Sequence, residues 1–114
     1  MKVLVADRIA DEGVGMLRDA GYDVDVIVEQ SEEELVSRIP GYDALIVRSH
    51  TQASRPVIEA GRNLRVIGRA GVWLDNVDVP CATEHGIIIC NTPTAYALSA
   101  AEHAFALMLA CVRH

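Results

Sequence analysis

The sequence predicts an α/β protein built on a doubly wound parallel sheet of five strands with helices on both faces. Two observations lead to this prediction. Five short apolar runs recur along the 114 residues, and helical patterns fill the intervals between them. The runs are continuously apolar instead of alternating, which is typical of strands covered on both faces. Strands that alternate with helices in this way are joined by right-handed crossovers.

The five predicted strands are rich in β-branched residues and are bounded by glycine, aspartate or asparagine. They cover residues 3–6, 24–28, 44–47, 66–67 and 87–90. Periodicity alone does not determine the order of these strands in the sheet.

The first two helices are predicted from an apolar stripe and from a cap. Over residues 9–20, Val14 and Leu17 fall on one stripe with Ile9, and a glycine at position 21 supplies a stop. Ser31 and Glu34 form a capping box at the start of the second helix, which runs to about residue 39. Both helices are amphipathic, so each has one face to bury.

Two shorter helices are also predicted from their caps. Ser54 precedes a helix that runs to Ala60, and Asp78 precedes a helix that runs to His85 and is ended by Gly86. Each helix carries a proline in its first turn, where the ring is tolerated.

The last predicted helix, at about residues 97–113, differs because apolar residues cover most of its circumference. Such a helix needs cover on several sides. Two arrangements stay open at this point. The helix folds back onto this sheet, or its remaining apolar surface is buried in an oligomer, such as a homodimer formed through the helix.

Composition and charge restrict the class of partner. With 51% hydrophobic and 23% charged residues, the chain has the composition of a globular protein. A formal net charge of -6 and the lack of a basic cluster argue against a nucleic-acid or anionic-membrane surface. No apolar run reaches the roughly 18 residues of a membrane span, and the start lacks the features of a signal peptide. A length of 114 residues is enough for one core, so we expect a single domain over residues 1–114.

Cysteine usage indicates a reducing, cytoplasmic setting. Cys81, Cys90 and Cys111 are odd in number and show no Cys-x-x-Cys spacing. Neither a disulfide framework nor a metal site is expected from this pattern.

Loops that follow the strands carry the candidate site, because ligands of open α/β sheets collect beyond the carboxyl ends of the strands. Arg48 and Ser49 follow the third predicted strand, and Arg69, Gly71 and Val72 lie at the end of the fourth. Guanidinium groups match carboxylates and phosphates, and free backbone N–H groups add favourable dipoles. The pattern predicts an anion site. The alternative for Arg48 is a surface ion pair with a helix-borne acid.

Residues 66–78 read Val-Ile-Gly-Arg-Ala-Gly-Val-Trp-Leu-Asp-Asn-Val-Asp, and residues 44–49 and 99–103 read Ala-Leu-Ile-Val-Arg-Ser and Ser-Ala-Ala-Glu-His. Together they resemble D-2-hydroxyacid dehydrogenases, particularly those of the phosphoglycerate type, over essentially the whole chain. The resemblance implies a flavodoxin-like substrate domain with strand order 2-1-3-4-5. It also implies that the last helix leads into a nucleotide domain.

The resemblance also implies roles for the loop residues. Arg48, with Ser49, corresponds to the arginine that faces the anionic groups of a substrate such as 3-phosphoglycerate. The amides of Gly71 and Val72 correspond to those that hold its carboxylate, and Arg69 adds positive charge beside them.

Two aromatic residues depart from the family pattern. Trp73 stands where the family carries glycine, and Tyr96 stands where its Asn-x-Pro-x-x-Asn pattern carries asparagine. Both replacements enlarge a side chain at the mouth where cofactor and second domain would dock. We expect these aromatics to occlude the site and to help an engineered or truncated domain stand alone. The alternatives are a stacking site for a planar ligand such as flavin, neutral variation, or oligomer contacts.

Other motifs of the family are absent from the sequence. No Gly-x-Gly-x-x-Gly fingerprint with a downstream acid occurs, so no cofactor site is expected, although the resemblance implies NAD in the parent family. The family's catalytic arginine, glutamate and histidine lie in or after the nucleotide domain and map to no residue here. The resemblance thus implies a truncated substrate domain from an enzyme of serine biosynthesis, inactive alone.

One further hypothesis stays open and one is excluded. The chain could serve as an engineered structural scaffold or self-associating module without ligand binding. A signalling receiver domain shares the strand order but needs an aspartate after the third strand and a lysine after the fifth. This chain has Arg48 and Asn91 at those places.

Overall fold

A computed structural model describes residues 1–113, and its strands and helices alternate as the sequence predicts. Most boundaries differ from the predicted ones by one or two residues, because caps and turns determine where each element ends. The elements are β1 (Lys2–Val5), α1 (Asp11–Asp19), β2 (Asp23–Val26), α2 (Glu32–Arg38), β3 (Ala44–Val47), α3 (Arg55–Ala60), β4 (Val66–Arg69), α4 (Val79–Glu84), β5 (Ile88–Asn91) and α5 (Ala97–Val112).

The predicted helix caps agree with the structure at two positions and differ at a third. Ser31 and Glu34 form the complete capping box of α2. Asp78 accepts a hydrogen bond from the backbone N–H of Cys81 over 2.9 Å at the start of α4. Ser54 occupies the N-cap position of α3, but its hydroxyl makes no capping hydrogen bond.

All five strands are parallel and form one sheet in the order β2-β1-β3-β4-β5, which confirms the predicted fold class and strand order. Val5 lies between Val26 of β2 and Ile46 of β3. Because the strands run in one direction, the loops after β1, β3, β4 and β5 emerge at the same edge of the sheet. This edge carries the candidate site.

The two faces of the sheet are covered differently. Helices α2, α3 and α4 pack on one face, where the core includes Leu4, Leu45 and Ile67. On the other face Val14 of α1 packs with β1 and β2. Ile88 of β5 pairs with Val66 in register and is 64% exposed. The edge strand β5 therefore has little cover on the face that α1 packs against.

Helix α5 extends away from the sheet, and none of its residues is buried. Of the two arrangements that the sequence left open, the structure therefore does not show the one in which this helix folds back onto the sheet. The radius of gyration, 16.6 Å, exceeds the roughly 13 Å expected of a compact chain of about this length because α5 protrudes. No helix within residues 1–113 is long and apolar enough to cross a membrane. The large apolar residues that α5 exposes are Leu98, Phe105, Leu107, Met108, Leu109 and Val112.

Candidate functional site

A depression of about 280 Å³ lies at the carboxyl edge of the sheet, between the loops that follow β3 and β4. All of the residues that the sequence singles out as substrate-binding or occluding line it. They are Arg48, Ser49, Arg69, Gly71, Val72, Trp73 and Tyr96. The fold therefore brings together residues that are separated by up to 48 positions in the chain, although this placement does not by itself assign their roles.

Arg48 follows β3 and is exposed at the wall of this depression. Its Nη1 donates a hydrogen bond to the carbonyl oxygen of Arg8 over 3.3 Å. Within residues 1–113 no carboxylate lies at ion-pair distance from Arg48, which is not what the surface ion-pair alternative predicts. The same side chain also lines two adjoining cavities of about 460 and 420 Å³. Its charge is thus available where three depressions meet.

The buried carboxylate of Asp7, at the end of β1, organises the loop that carries Arg48. It accepts hydrogen bonds from the backbone N–H of Arg48 over 2.6 Å and from that of Thr51 over 3.1 Å. The Thr51 hydroxyl donates to the same carboxylate over 2.8 Å. A buried charge is costly unless it is hydrogen-bonded, and these three donors satisfy it.

Asn76, in the loop between β4 and α4, holds the same 48–51 loop from the other side. Its Nδ2 donates to the carbonyl oxygens of Arg48 and Thr51 over 2.6 and 2.7 Å. Its Oδ1 accepts a hydrogen bond from Nε of Arg69 over 3.2 Å. The side chain therefore connects the loop that carries Arg48 with Arg69 at the end of β4.

Arg69 is only 8% exposed, unlike Arg48. Besides its bond to Asn76, its Nη2 lies 3.6 Å from a carboxylate oxygen of the exposed Asp75. The guanidinium lies so close to the backbone of Gly71 that a Cβ at position 71 would collide with it. The glycine thus permits the close approach of a buried arginine to the turn.

The backbone amides of the glycine turn are not equally available. The N–H of Gly71 already donates to the carbonyl oxygen of Arg69 over 2.9 Å. Among the hydrogen bonds of the described residues, the N–H of Val72 has no acceptor. The carbonyl oxygen of Gly71 accepts from the N–H of Thr92 over 2.9 Å, and that of Val72 accepts from Nδ2 of Asn91, the last residue of β5, over 2.7 Å. Of these two amides, that of Val72 is the one left without an acceptor among the described residues.

Trp73 and Tyr96 lie at the rim of the depression. Trp73 is 74% exposed and Tyr96 is 47% exposed, so neither side chain is part of the core. Tyr96 also lines the cavity of about 420 Å³ beside Arg8 and Arg48. Both aromatics therefore border the depression.

One cluster within the described chain offers three metal-ligating groups, from Cys81, Glu84 and His85 of the α4 segment, within 4.8 Å of one another. Arg55 already donates to Glu84 over 3.2 Å and pairs with Asp78 at 3.6 Å. Burial raises the pKa of the Cys81 thiol, which disfavours the thiolate that a metal needs. The one acid of this cluster, Glu84, is thus already paired with the arginine.

Sequence reasoning missed Asp7, Thr51 and Asn76 as parts of the site. Asn76 lies in a loop and is not the cap of α4, which is Asp78. A polar residue directly after a buried strand was the available signal for Asp7. Its partners lie more than 40 positions away and could not be identified from spacing.

Comparison with known proteins shows which family the chain is similar to. The family model described as D-isomer specific 2-hydroxyacid dehydrogenase, catalytic domain, matches residues 3–112. The D-3-phosphoglycerate dehydrogenase of Archaeoglobus fulgidus is 48% identical over 113 residues, which are 99% of this chain and 21% of that protein. The hydroxypyruvate reductase of Thermotoga maritima is 46% identical over 114 residues and is matched over 37% of its length. The chain thus spans between a fifth and two fifths of these curated relatives.

Solved structures show the same similarity in three dimensions. The NAD+-bound 3-phosphoglycerate dehydrogenase of Entamoeba histolytica superimposes with a TM-score of 0.83 at 30% identity, over 95% of this chain and 38% of that chain. A protein of Thermus thermophilus gives a TM-score of 0.86 at 30% identity, over 96% of this chain and 36% of that chain. The resemblance predicted from the sequence motifs is confirmed.

Proposed function

The chain belongs to the D-isomer specific 2-hydroxyacid dehydrogenase family, and we propose that it is a substrate-binding domain of the D-3-phosphoglycerate dehydrogenase type. The observation that carries the proposal is the single depression that joins two arginines and a free backbone N–H at the carboxyl edge of the sheet. The relative of this name in Archaeoglobus fulgidus, 48% identical, supports the phosphoglycerate type.

The proposed ligand is a small hydroxy acid with more than one anionic group, such as 3-phosphoglycerate. Arg48 is exposed and, within residues 1–113, lies at ion-pair distance from no acid, so its guanidinium can form a bidentate contact with a carboxylate or phosphate. Ser49 adds a hydroxyl donor, and Val72 adds an N–H. Arg69 contributes charge from a fixed, buried position.

We propose no turnover by this chain alone. This proposal is supported by the sequence, which has no match to the arginine, glutamate and histidine that the resembled family carries in or after its NAD-binding nucleotide domain. The chain's part is to bind and orient the substrate. Three free cysteines are compatible with a reducing, cytoplasmic compartment.

A fluorescence titration tests the binding proposal. Trp73 is the one tryptophan of the sequence and lines the depression, so a bound anion should change its emission. We expect a saturable change with 3-phosphoglycerate that exceeds the change with sulfate at equal ionic strength. Arg48→Ala should abolish it, whereas Arg62→Ala, at an exposed position outside the depression, should not. A response that is equal in both variants would contradict the proposal.

Trp73 and Tyr96 are proposed to restrict the entrance. Both border the depression, and Trp73 replaces the glycine of the family pattern. Trp73→Gly should therefore tighten the binding of 3-phosphoglycerate, measured by calorimetry because the variant has no tryptophan. Unchanged or weaker binding would mean that Trp73 does not occlude the site.

A second candidate function is self-association through α5, as a homodimer or as a scaffold without ligand binding. The observation in its favour is that α5 exposes a row of large apolar residues and buries none. Exposed apolar patches of this kind mark interaction surfaces. If the titration shows no binding and the chain associates, a structural module, natural or engineered, is the better account.

A further inference from the structure

We propose that Asn76 is a positioning residue that connects the two anion-binding arginines, fixing the guanidinium of Arg69 and the backbone of Arg48 at the same time. The proposal rests on the proposed function, because it assigns to Asn76 an effect on that anion site. Asn76 is 4% exposed and does not reach the solvent of the depression itself. It therefore acts through its partners.

Both N–H groups and the oxygen of the Asn76 carboxamide take part in hydrogen bonds. Its two N–H groups donate to the carbonyl oxygens of Arg48 and Thr51, over 2.6 and 2.7 Å. Its oxygen accepts from Nε of Arg69 over 3.2 Å. Two carbonyl acceptors on one side and an N–H donor on the other determine which way the amide faces. An aspartate at position 76 would place an oxygen against two carbonyl oxygens.

Asp7 complements Asn76 across the 48–51 loop. Asp7 accepts the N–H groups of Arg48 and Thr51, and Asn76 donates to the carbonyl oxygens of the same two residues. Both backbone polar groups of Arg48 are therefore satisfied by side chains from other loops. The main chain that carries the exposed guanidinium has its position defined from two sides.

The contact with Arg69 extends this control to the second arginine. Asn76 holds Nε, the backbone of Gly71 lies against the guanidinium, and Asp75 pairs loosely with Nη2 from the solvent side. A preorganised donor loses less conformational entropy when an anion binds than a free side chain does. Asn76 thus helps to keep the guanidinium of Arg69 in a fixed position, while the exposed side chain of Arg48 can adapt to the anion.

The first test needs no ligand. In 15N NMR spectra the Nε–H of Arg69 should exchange slowly with water, because it is buried and donates to Asn76. Asn76→Ala should make this exchange fast while the circular dichroism spectrum and cooperative urea unfolding are kept. Slow exchange in the variant would overturn the proposal. Asn63→Ala is the matched control, since Asn63 is exposed and makes one side-chain bond, to the Pro40 carbonyl oxygen over 3.0 Å.

The second test measures affinity. Asn76→Asp keeps an acceptor for Arg69 but loses both donors to the 48–51 loop, so we expect the Kd for 3-phosphoglycerate to rise about tenfold, equivalent to about 1.4 kcal/mol. Asn63→Asp adds the same charge at a distance from the site and should leave the Kd within about twofold. Equal effects of the two changes would overturn the proposal.

Two outcomes need a separate measurement. If the Asn76 variants do not fold, Arg69→Lys keeps the charge but removes the Nε–H that Asn76 accepts. This substitution should then shift the backbone amide signals of the 48–51 loop, and unchanged signals would overturn the proposal.

If the unaltered chain binds neither 3-phosphoglycerate nor sulfate, the proposed function fails. The exchange rate of the Arg69 Nε–H still decides whether Asn76 positions Arg69.

Discussion

The hydroxyl of Thr51 donates a hydrogen bond to the carboxylate of Asp7 over 2.8 Å, across 44 positions of sequence. Both residues are buried. The contact joins the end of β1 to the loop after β3, so it is one of the bonds that define the geometry of the candidate site.

Removal of the Thr51 hydroxyl is expected to destabilise the fold. Thr51→Val keeps the shape of the side chain but leaves a buried carboxylate oxygen without this donor, which should lower the free energy of unfolding by about 1–3 kcal/mol. Thr51→Ser keeps the hydroxyl donor, so its free energy of unfolding should fall by less. Urea denaturation of the two variants measures the difference, and a valine variant as stable as the serine variant would contradict it.

Gly71 is expected to tolerate no side chain. In Gly71→Ala the new Cβ would meet the guanidinium of Arg69, and the buried arginine would have to move. We expect a loss of 1–3 kcal/mol, roughly the effect of overpacking, together with weaker anion binding. Gly15→Ala is the control, because a Cβ there meets nothing within 4 Å and lies in α1, where alanine is the better helix former. Urea midpoints that fall equally in both variants would contradict the expectation.

The acid dependence of stability should include the Tyr42–Asp25 contact. The hydroxyl of Tyr42 donates to Asp25 over 2.7 Å, and this bond, together with the ion pair to Lys2, holds the pKa of Asp25 below its usual value. Because the pKa of Asp25 is lower in the folded chain, the contact contributes fully to the free energy of unfolding above the usual pKa of about 3.9. This contribution is lost as the pH falls through the pKa that Asp25 has in the folded chain.

Tyr42→Phe removes the donor, so the stability difference between this variant and the unaltered chain should be larger at about pH 6 than at about pH 2–3. Urea unfolding across that range measures it. A difference that stays constant with pH would show that the hydroxyl does not favour the charged form of Asp25.

The sequence predicted the sheet and the residues that meet at its edge because both depend on local signals. Continuous apolar runs define β1, β3 and β4, and the loop residues follow those strands directly. Strand order came from the family resemblance. The motif around Gly71 predicted a loop at the carboxyl edge of the sheet, which is where the structure has it.

The contacts that hold the site could not be predicted in the same way. Asp7, Thr51 and Asn76 come from three loops, and only the folded sheet brings them within hydrogen-bond distance. The position of α5 also escaped prediction, because an apolar helix fits either a folded-back or an extended arrangement equally well. The structure shows the extended one.

The exposed helix α5 predicts concentration-dependent association. Phe105→Glu and Leu109→Glu place charges on an apolar surface and should shift the chain toward monomer. Met16→Glu is the matched control, since Met16 is 73% exposed on α1 and outside this surface. Sedimentation velocity at several concentrations gives the answer. A monomer at all concentrations, or equal effects of all three changes, would exclude association through α5.

Binding of an anion between Arg48 and the N–H of Val72 would change the amide chemical shifts of both segments, which an NMR titration with 3-phosphoglycerate measures. We expect saturable shifts of the Val72 amide and of the 48–51 loop, with a common Kd, and their loss in Arg48→Ala. An absence of shifts, or shifts confined to residues outside the depression, would contradict the account and leave the chain without a substrate site.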